Sequence, residues 1–323
     1  MTDAKSLRWG ILGTGMIARK FAGQLSECHR GELAGIGSRS VESASGFAAE
    51  FGGRPHGSYD ALLGDASIDA VYVSLPNSLH HQWTIRALAA GKHVLCEKPL
   101  ASNAAEAAEM FAVAERSGRL LVEAFMYRTQ PVVQRAIGLV REGAIGELRL
   151  IRTNFTFCRE ASPADARYQP AMGGGALMDV GCYCINLSRA IADSEPTAVA
   201  GDVHLHEFGV DDYAVGTLNF GGEVLAAFTC GMTVHSDWRS VIGGSEGSLT
   251  IENPWLGGQR IALTRGGKTE VIEAPASMRL YALEADRFAA TACDGEPPVI
   301  AREDSMGNMR VLDELRRQVG LPV

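Results

Sequence analysis

Gly10-Ile11-Leu12-Gly13-Thr14-Gly15-Met16-Ile17-Ala18 lies near the start of a 323-residue chain. It follows an apolar run from Leu7 to Leu12 and precedes a helical pattern from Ile17 to about Leu25. The frame Gly13-x-Gly15-x-x-Ala18 has the chemistry of a pyrophosphate cradle: one glycine makes the tight turn, the second admits a phosphate, and the small third residue lets helix and strand pack. The helix N-terminus adds free N–H donors and a partial positive charge. Any sharp strand-to-helix turn favours glycine, so the flanking pattern must decide.

Outward from that loop, strand-like and helical stretches alternate. Leu33 to Gly37, Asp69 to Leu75, His93 to Glu97 and Leu120 to Ala124 read as strands, and Val41 to Phe51, Leu79 to Ala90 and Ala104 to Ser117 as helices. Such alternation predicts right-handed βαβ units in a parallel sheet, the setting a dinucleotide loop requires. After Phe125 the pattern changes: a helix from Val132 to Arg141, a strand from Leu148 to Phe157, an irregular polar stretch, and a helix from about Ala176 to Ala192. Seven further strand-like segments follow between Ala198 and Ala274, and two helices, Leu280 to Asp294 and Asp304 to Val319, finish the chain. Consecutive strands without intervening helices predict an antiparallel sheet with one face covered by helices.

Composition narrows the function. The chain is 46% apolar and 21% charged, as in an ordinary globular protein, and its length predicts two domains. A net charge of −8 argues against nucleic acid or an anionic membrane as the main partner. No apolar run approaches membrane-spanning length, and Met1-Thr2-Asp3-Ala4-Lys5 lacks the apolar core of an export signal, which makes the cytoplasm the expected compartment. Seven scattered cysteines fit reduced thiols, and Cys182-x-Cys184, the one close pair, has poor spacing for zinc on a helix, so no metal is expected.

Four further clusters carry chemistry. Ser38-Arg39 ends the second strand, where an acidic residue would accept hydrogen bonds from the ribose of NAD; a hydroxyl and a guanidinium suit the 2′-phosphate of NADP instead, against the plainer reading of a solvated arginine that caps the next helix. Leu75-Pro76-Asn77 closes the third strand, with His80 in the next helical turn; Asn77 and His80 are candidates for pyrophosphate or ribose contacts. Glu97-Lys98-Pro99 closes the fourth, and a lysine there can hold the nicotinamide ribose and lower the pKa of a neighbouring phenol. Far downstream, Gly173-Gly174-Gly175-Ala176-Leu177-Met178-Asp179-Val180-Gly181-Cys182-Tyr183 places a carboxylate and a phenol four residues apart on one helix, after three glycines that allow another backbone or a ligand to approach. Tyrosine is a weak base unaided, since an ordinary phenol side chain titrates near pH ~10, and Lys98 would correct that. Their union predicts an active site in the cleft between two domains.

Together, Gly13 to Ala18, Pro76-Asn77-x-x-His80, Glu97-Lys98-Pro99 and Gly173-Gly174-Gly175-Ala176-Leu177-x-Asp179-x-Gly181-x-Tyr183 resemble the glucose-fructose oxidoreductase and inositol dehydrogenase (Gfo/Idh/MocA) family, in order and over nearly the whole chain. The resemblance implies an α/β protein: a Rossmann domain over residues 1–125 and an α+β domain over 126–323 with a large open-faced, mainly antiparallel sheet. In relatives that sheet often joins copies into homodimers or homotetramers. Tyrosine at position 183, where many members carry histidine, resembles the branch of NADP-linked sugar and dihydrodiol dehydrogenases. That branch implies Lys98 and Tyr183 as the catalytic pair, Asp179 and Arg167 in the substrate pocket, and NADP held by Gly13, Thr14, Gly15, Met16, Ile17, Ser38, Arg39, Leu75, Pro76, Asn77, His80, Glu97, Lys98 and Arg128. The expected activity is hydride transfer between NADP, with NAD left open, and an aldose C1 or a secondary alcohol of a sugar-like polyol. Two other readings stand beside it: glycoside hydrolysis by transient oxidation on tightly held NAD, and a non-catalytic NADP-sensing regulator.

Overall fold

Strands and helices alternate through the first part of the chain and close into one parallel sheet. In the structure, a computed structural model that describes residues 6–323, the strands are β1 (Leu7–Leu12), β2 (Gly31–Gly37), β3 (Arg54–His56), β4 (Ala70–Val73), β5 (His93–Glu97) and β6 (Leu121–Ala124). The helices between them are α1 (Met16–Leu25), α2 (Val41–Phe51), α3 (Tyr59–Leu63), α4 (His80–Ala89) and α5 (Ala104–Ser117). Met1-Thr2-Asp3-Ala4-Lys5, the stretch read above for an export signal, lies outside the described residues.

The strand order β3-β2-β1-β4-β5-β6 is that of a dinucleotide-binding sheet, and the chain reverses direction across the sheet between β1 and β4. Burial explains the strands: Trp9, Ile11, Leu12, Tyr72, Val94 and Leu95 have no exposed surface, as expected where helices cover both faces. Capping explains helix starts, since Ser40 and Asn103 accept from the backbone N–H groups of Ser43 and Glu106. Two elements had no reading in the sequence. β3 is three residues long and contains Pro55, so it carries no alternating pattern; it survives as an edge strand paired only with β2. α3 is a five-residue turn capped by Ser58.

The described chain falls into two compact units, Met1–Thr129 with Met278–Ser305 and Gln130–Ser277 with Met306–Val323. This differs from a single boundary near residue 125. The late helix α8 (Leu280–Asp294) belongs to the first unit because its apolar residues complete that core: Phe288 packs on Trp9 at 5.1 Å between ring centroids, and Tyr281 meets Phe21 edge-on at 6.3 Å. Polar contacts reinforce the return, with the Tyr281 N–H donating to Gln24 Oε1 at 2.9 Å.

The second unit contains α6 (Pro131–Arg141), β7 (Leu148–Thr156), α7 (Cys182–Ala192), β8 (Ala198–Leu205), β9 (Asp211–Asn219), β10 (Leu225–Gly231), β11 (Ser240–Gly244), β12 (Gly247–Ile251), β13 (Arg260–Arg265) and β14 (Lys268–Glu273). α9 (Arg302–Gln318) supplies its last helix from Met306 onward. The strands form one sheet in the order β14-β13-β12-β11-β7-β10-β9-β8. It is antiparallel except for the central β7–β10 pair, which is parallel. Inward-facing Ile151, Ala214, Leu218, Ala226 and Phe228 are buried, while on the other face Leu150, Val215 and Leu225 are 43%, 53% and 51% exposed. The sheet is therefore open on one side. Among the described residues no helix is long and apolar enough to cross a membrane.

Candidate active site

Register within the first unit brings the candidate cofactor loops to one edge. Gly37, Leu12, Val73 and Cys96 occupy one row across β2, β1, β4 and β5. The segments that follow each of them therefore leave the same carboxyl edge side by side, where open α/β sheets bind ligands. Glu97 pairs with Ala124 one step further, so Lys98 and the β6 exit join the same edge.

The two loop glycines serve different ends. Gly13 has φ +104°, donates its N–H to Gly37 O at 3.0 Å, and lies so close to β4 that a Cβ would come within 2.9 Å of Ser74 O. Chain folding alone demands glycine there. Gly15 has an ordinary extended backbone, φ −72° and ψ −178°, and a Cβ on it would meet no atom within 4 Å. Nothing in the chain requires glycine at 15, and the open space lies directly at the N-terminus of α1. That terminus has no side-chain cap and no acidic residue in its first turn, and Ala18 is fully buried beneath it. A pyrophosphate fits this cradle: bare helix donors, room for close approach, and no competing negative charge.

Ser38 is buried and its N–H donates to His56 O at 3.1 Å, which anchors the end of β2. Arg39 is exposed and forms no hydrogen bond or ion pair among the described residues. Ser40, not Arg39, caps α2, so the capping explanation for the arginine falls away.

Three residues expected to touch cofactor are turned into the protein. His80 is fully buried, with Nδ1 2.9 Å from Pro99 O and Nε2 2.8 Å from Leu75 O. Burial holds its pKa below the ordinary histidine value, and a neutral ring donates to only one of the two carbonyls. Its place is between the β4 and β5 exit loops, tying Leu75 to the cis Lys98–Pro99 segment. Glu97 is buried and accepts from the Tyr72 hydroxyl and from the Lys98 N–H at 3.2 Å. Arg128 is buried and paired with Asp304 at 2.9 Å. The common cause is the cost of an unpaired buried polar group, which draws each side chain to an internal partner. Thr14, Ile17, Pro76, Asn77 and Lys98 remain half-buried along the edge, Met16 is exposed, and Leu75 is buried against Gly13.

In the second unit the triple-glycine loop feeds a π turn, Leu177–Gly181, and then α7. The sequence pattern predicts a continuous α-helix here; the wider i→i+5 turn changes the register of Asp179 against Tyr183, and such turns recur at functional sites. Gly174 is required because a Cβ there would overlap Arg167 O. This approach holds Arg167 over the turn, where its Nε donates to Asp179 Oδ2 at 3.0 Å and its NH1 group to Asp165 Oδ1 at 3.2 Å. Burial works against the Arg167 charge, but Asp179 and Asp165 outweigh it and raise its pKa above the usual value. Tyr183 is buried with its ring edge-on to Phe155 at 5.2 Å and to Trp255 at 5.9 Å. Trp255 is fixed by donating Nε1–H to Asn154 O at 2.8 Å. The arrangement offers a fixed phenol and a carboxylate already braced by a guanidinium.

Asp211 and Trp255 escaped the sequence reading. Asp211 is buried at the start of β9 and accepts from Leu177 N–H at 2.7 Å. Alternation along β9 marks Asp212, on the core face with Ala214 and Leu218, but it puts Asp211 on the open face with Tyr213 and Val215, so no local pattern announces the burial of Asp211. Trp255 sits in a loop with no periodicity, and nothing local marks it. Among the described residues no cluster of three metal-ligating side chains occurs, and all seven cysteines are free.

The fold and these edges define a nicotinamide-dependent oxidoreductase. Residues 7–125 match the family described as "Oxidoreductase family, NAD-binding Rossmann fold", and residues 133–250 match the "GFO/IDH/MocA C-terminal domain". The chain belongs to the Gfo/Idh/MocA family. It is 34% identical over 316 residues to D-xylose 1-dehydrogenase (NADP(+)) 2 of Haloferax volcanii, covering 96% of each chain. It is 30% identical over 330 residues to trans-1,2-dihydrobenzene-1,2-diol dehydrogenase of Mus musculus, covering 98% of each. A crystal structure of a 3-ketoreductase from Actinomadura kijaniata, in complex with NADP and TDP-benzene, superposes with a TM-score of 0.91 at 33% identity over 98% of both chains.

Proposed function

We propose that this oxidoreductase transfers a hydride between NADP and an alcohol or lactol carbon of a sugar, or of a sugar-like polyol or diol. The observation that carries the reading is the braced set in the second unit: Tyr183 held edge-on against the stacked rings of Phe155 and Trp255, just beyond a π turn that presents Asp179 to Arg167. The nicotinamide, when bound, supplies the hydride acceptor. Tyr183 takes the hydroxyl proton, the Lys98 ammonium favours the phenolate form, and the Asp179–Arg167 pair orients a neighbouring hydroxyl. The cradle at Gly15, Thr14, Met16 and Ile17 holds the pyrophosphate, and Ser38 and Arg39 take the 2′-phosphate. The enzymes named above, linked to NADP, xylose or a dihydrodiol, support this choice of substrate and cofactor classes.

A panel of aldoses, polyols and vicinal diols, assayed with NADP and with NAD by nicotinamide absorbance, tests both halves of the proposal. Reduction of NADP by at least one sugar or diol is expected. Firm NADP binding with no turnover across the panel would refute it and favour a sensor. Cleavage of a glycoside without net absorbance change would favour transient oxidation.

We also infer that the open sheet face joins copies of the chain. Leu150 and Leu225 oppose each other across β7 and β10, and Val215 continues the exposed apolar strip on β9. Light scattering is expected to give the mass of two or four chains, and Leu225→Lys to reduce it. A monomeric wild type would sink the idea.

A further inference from the structure

We propose that Asp211 is the positioning residue of the reactive turn: its buried carboxylate holds the Leu177–Gly181 segment, and through it Asp179 and Tyr183, in the arrangement that proton transfer needs. The inference rests on the roles proposed above for Asp179 and Tyr183.

One carboxylate oxygen bonds the turn and the other packs against the glycine that leads into it. Oδ2 accepts from the Leu177 N–H at 2.7 Å, the first N–H of the π turn. Oδ1 fills the place a side chain at 175 would take, since a Cβ there would overlap it, and Gly175 has φ +117°. Gly175 in turn accepts from the Asp179 N–H at 2.9 Å. One chain of contacts thus runs from Asp211 through Gly175 and Leu177 to Asp179. The third glycine of the triplet makes way for an acid of the chain itself.

Asp211 is a costly residue to place there. It is 2% exposed, and burial pushes its pKa up to about 6, against the pull of the Leu177 N–H and the Arg316 charge and with the push of Asp212. A buried carboxylate is tolerated when it forms charge-assisted hydrogen bonds, and the bond to Leu177 is of that kind. Its neighbour secures the strand from which it reaches: Asp212 accepts from the Thr233 hydroxyl at 2.8 Å and lies 2.7 Å from His204 Nδ1. On the opposite side, Gly181 is pressed toward β10, where a Cβ would meet Cys230 Sγ at 3.0 Å. The turn is clamped between β9 and β10, and Asp211 is the polar half of the clamp.

The test uses the full-length protein with Asp211→Ala and Asp211→Asn. Hydrogen exchange of the 177–183 amides, NADPH binding by fluorescence, and kcat and KM on the best substrate of the panel are measured together. Asp211→Ala is expected to speed exchange in 177–183 about tenfold more than in the rest of the sheet and to lower kcat about tenfold, the equivalent of one lost charge-assisted bond, with KM and NADPH affinity changed less than about threefold. Asp211→Asn keeps both the volume and an acceptor for Leu177 and is expected to recover most of both losses, whereas Asp211→Leu, of similar size with no acceptor, is expected to recover neither; recovery by leucine would show a purely packing role and overturn the proposal. Should the alanine variant fail to fold, Asp211→Ser, too short to reach Leu177, replaces it. Exchange in 177–183 equal to wild type, or rising no more than elsewhere in the unit, would overturn the proposal. The exchange measurement needs no substrate, so an inactive wild type would count against the sugar reading and leave the positioning result standing by itself.

Discussion

Tyr183→Phe is expected to lower kcat by roughly 10²–10⁴-fold, the usual contribution of a positioned proton-transfer group. The substitution removes one oxygen and leaves the ring edge-on against Phe155 and Trp255, so the fold should be retained. NADPH binding, measured by fluorescence, should stay within about twofold, because the cradle and Ser38-Arg39 belong to the other unit. Lys98→Met should fall as far, since a phenol that titrates near pH ~10 is mostly protonated at neutral pH without a nearby cation. If the two act as one proton-transfer device, the double variant will be scarcely slower than either single one. Turnover near wild type in Tyr183→Phe would remove the phenol from the mechanism, and strictly additive losses would separate it from the lysine.

Arg39→Ala should shift cofactor preference without touching stability. The guanidinium is exposed and pairs with nothing among the described residues, so its loss should leave the thermal midpoint unchanged. A charge-assisted bond to a phosphate is worth about 1.5–3 kcal/mol, which corresponds to a rise of roughly 10- to 100-fold in the Kd for NADP and almost none for NAD. Titration calorimetry with both nucleotides reads the two directly. Equal weakening of NADP and NAD, or no change in either, would show that Arg39 does not recognise the 2′-phosphate. Ser38 is buried with its N–H committed to His56 O, so Ser38→Ala should show a smaller shift in the same direction.

The sequence determined what rests on short-range chemistry. The β1–α1 loop, the alternation through Ala124 and the later run of strands follow from periodicities of two and 3.6 residues and from glycine and capping signals. The family motifs around Lys98, Asp179 and Tyr183 were legible for the same reason: each is a contiguous word in the chain.

Only the tertiary structure decided which way side chains of those words face. His80, Glu97 and Arg128 read as ligands, yet their partners are Pro99, Tyr72 and Asp304, which reach them from 19, 25 and 176 residues away. The first N–H of the π turn donates to an acid 34 residues further on, and the first core is completed by α8, whose Asp286 receives the Cys28 thiol across 258 residues. No local pattern encodes such pairings, because a buried polar group is satisfied by whatever the fold brings near it, and that is settled only when the whole chain is packed.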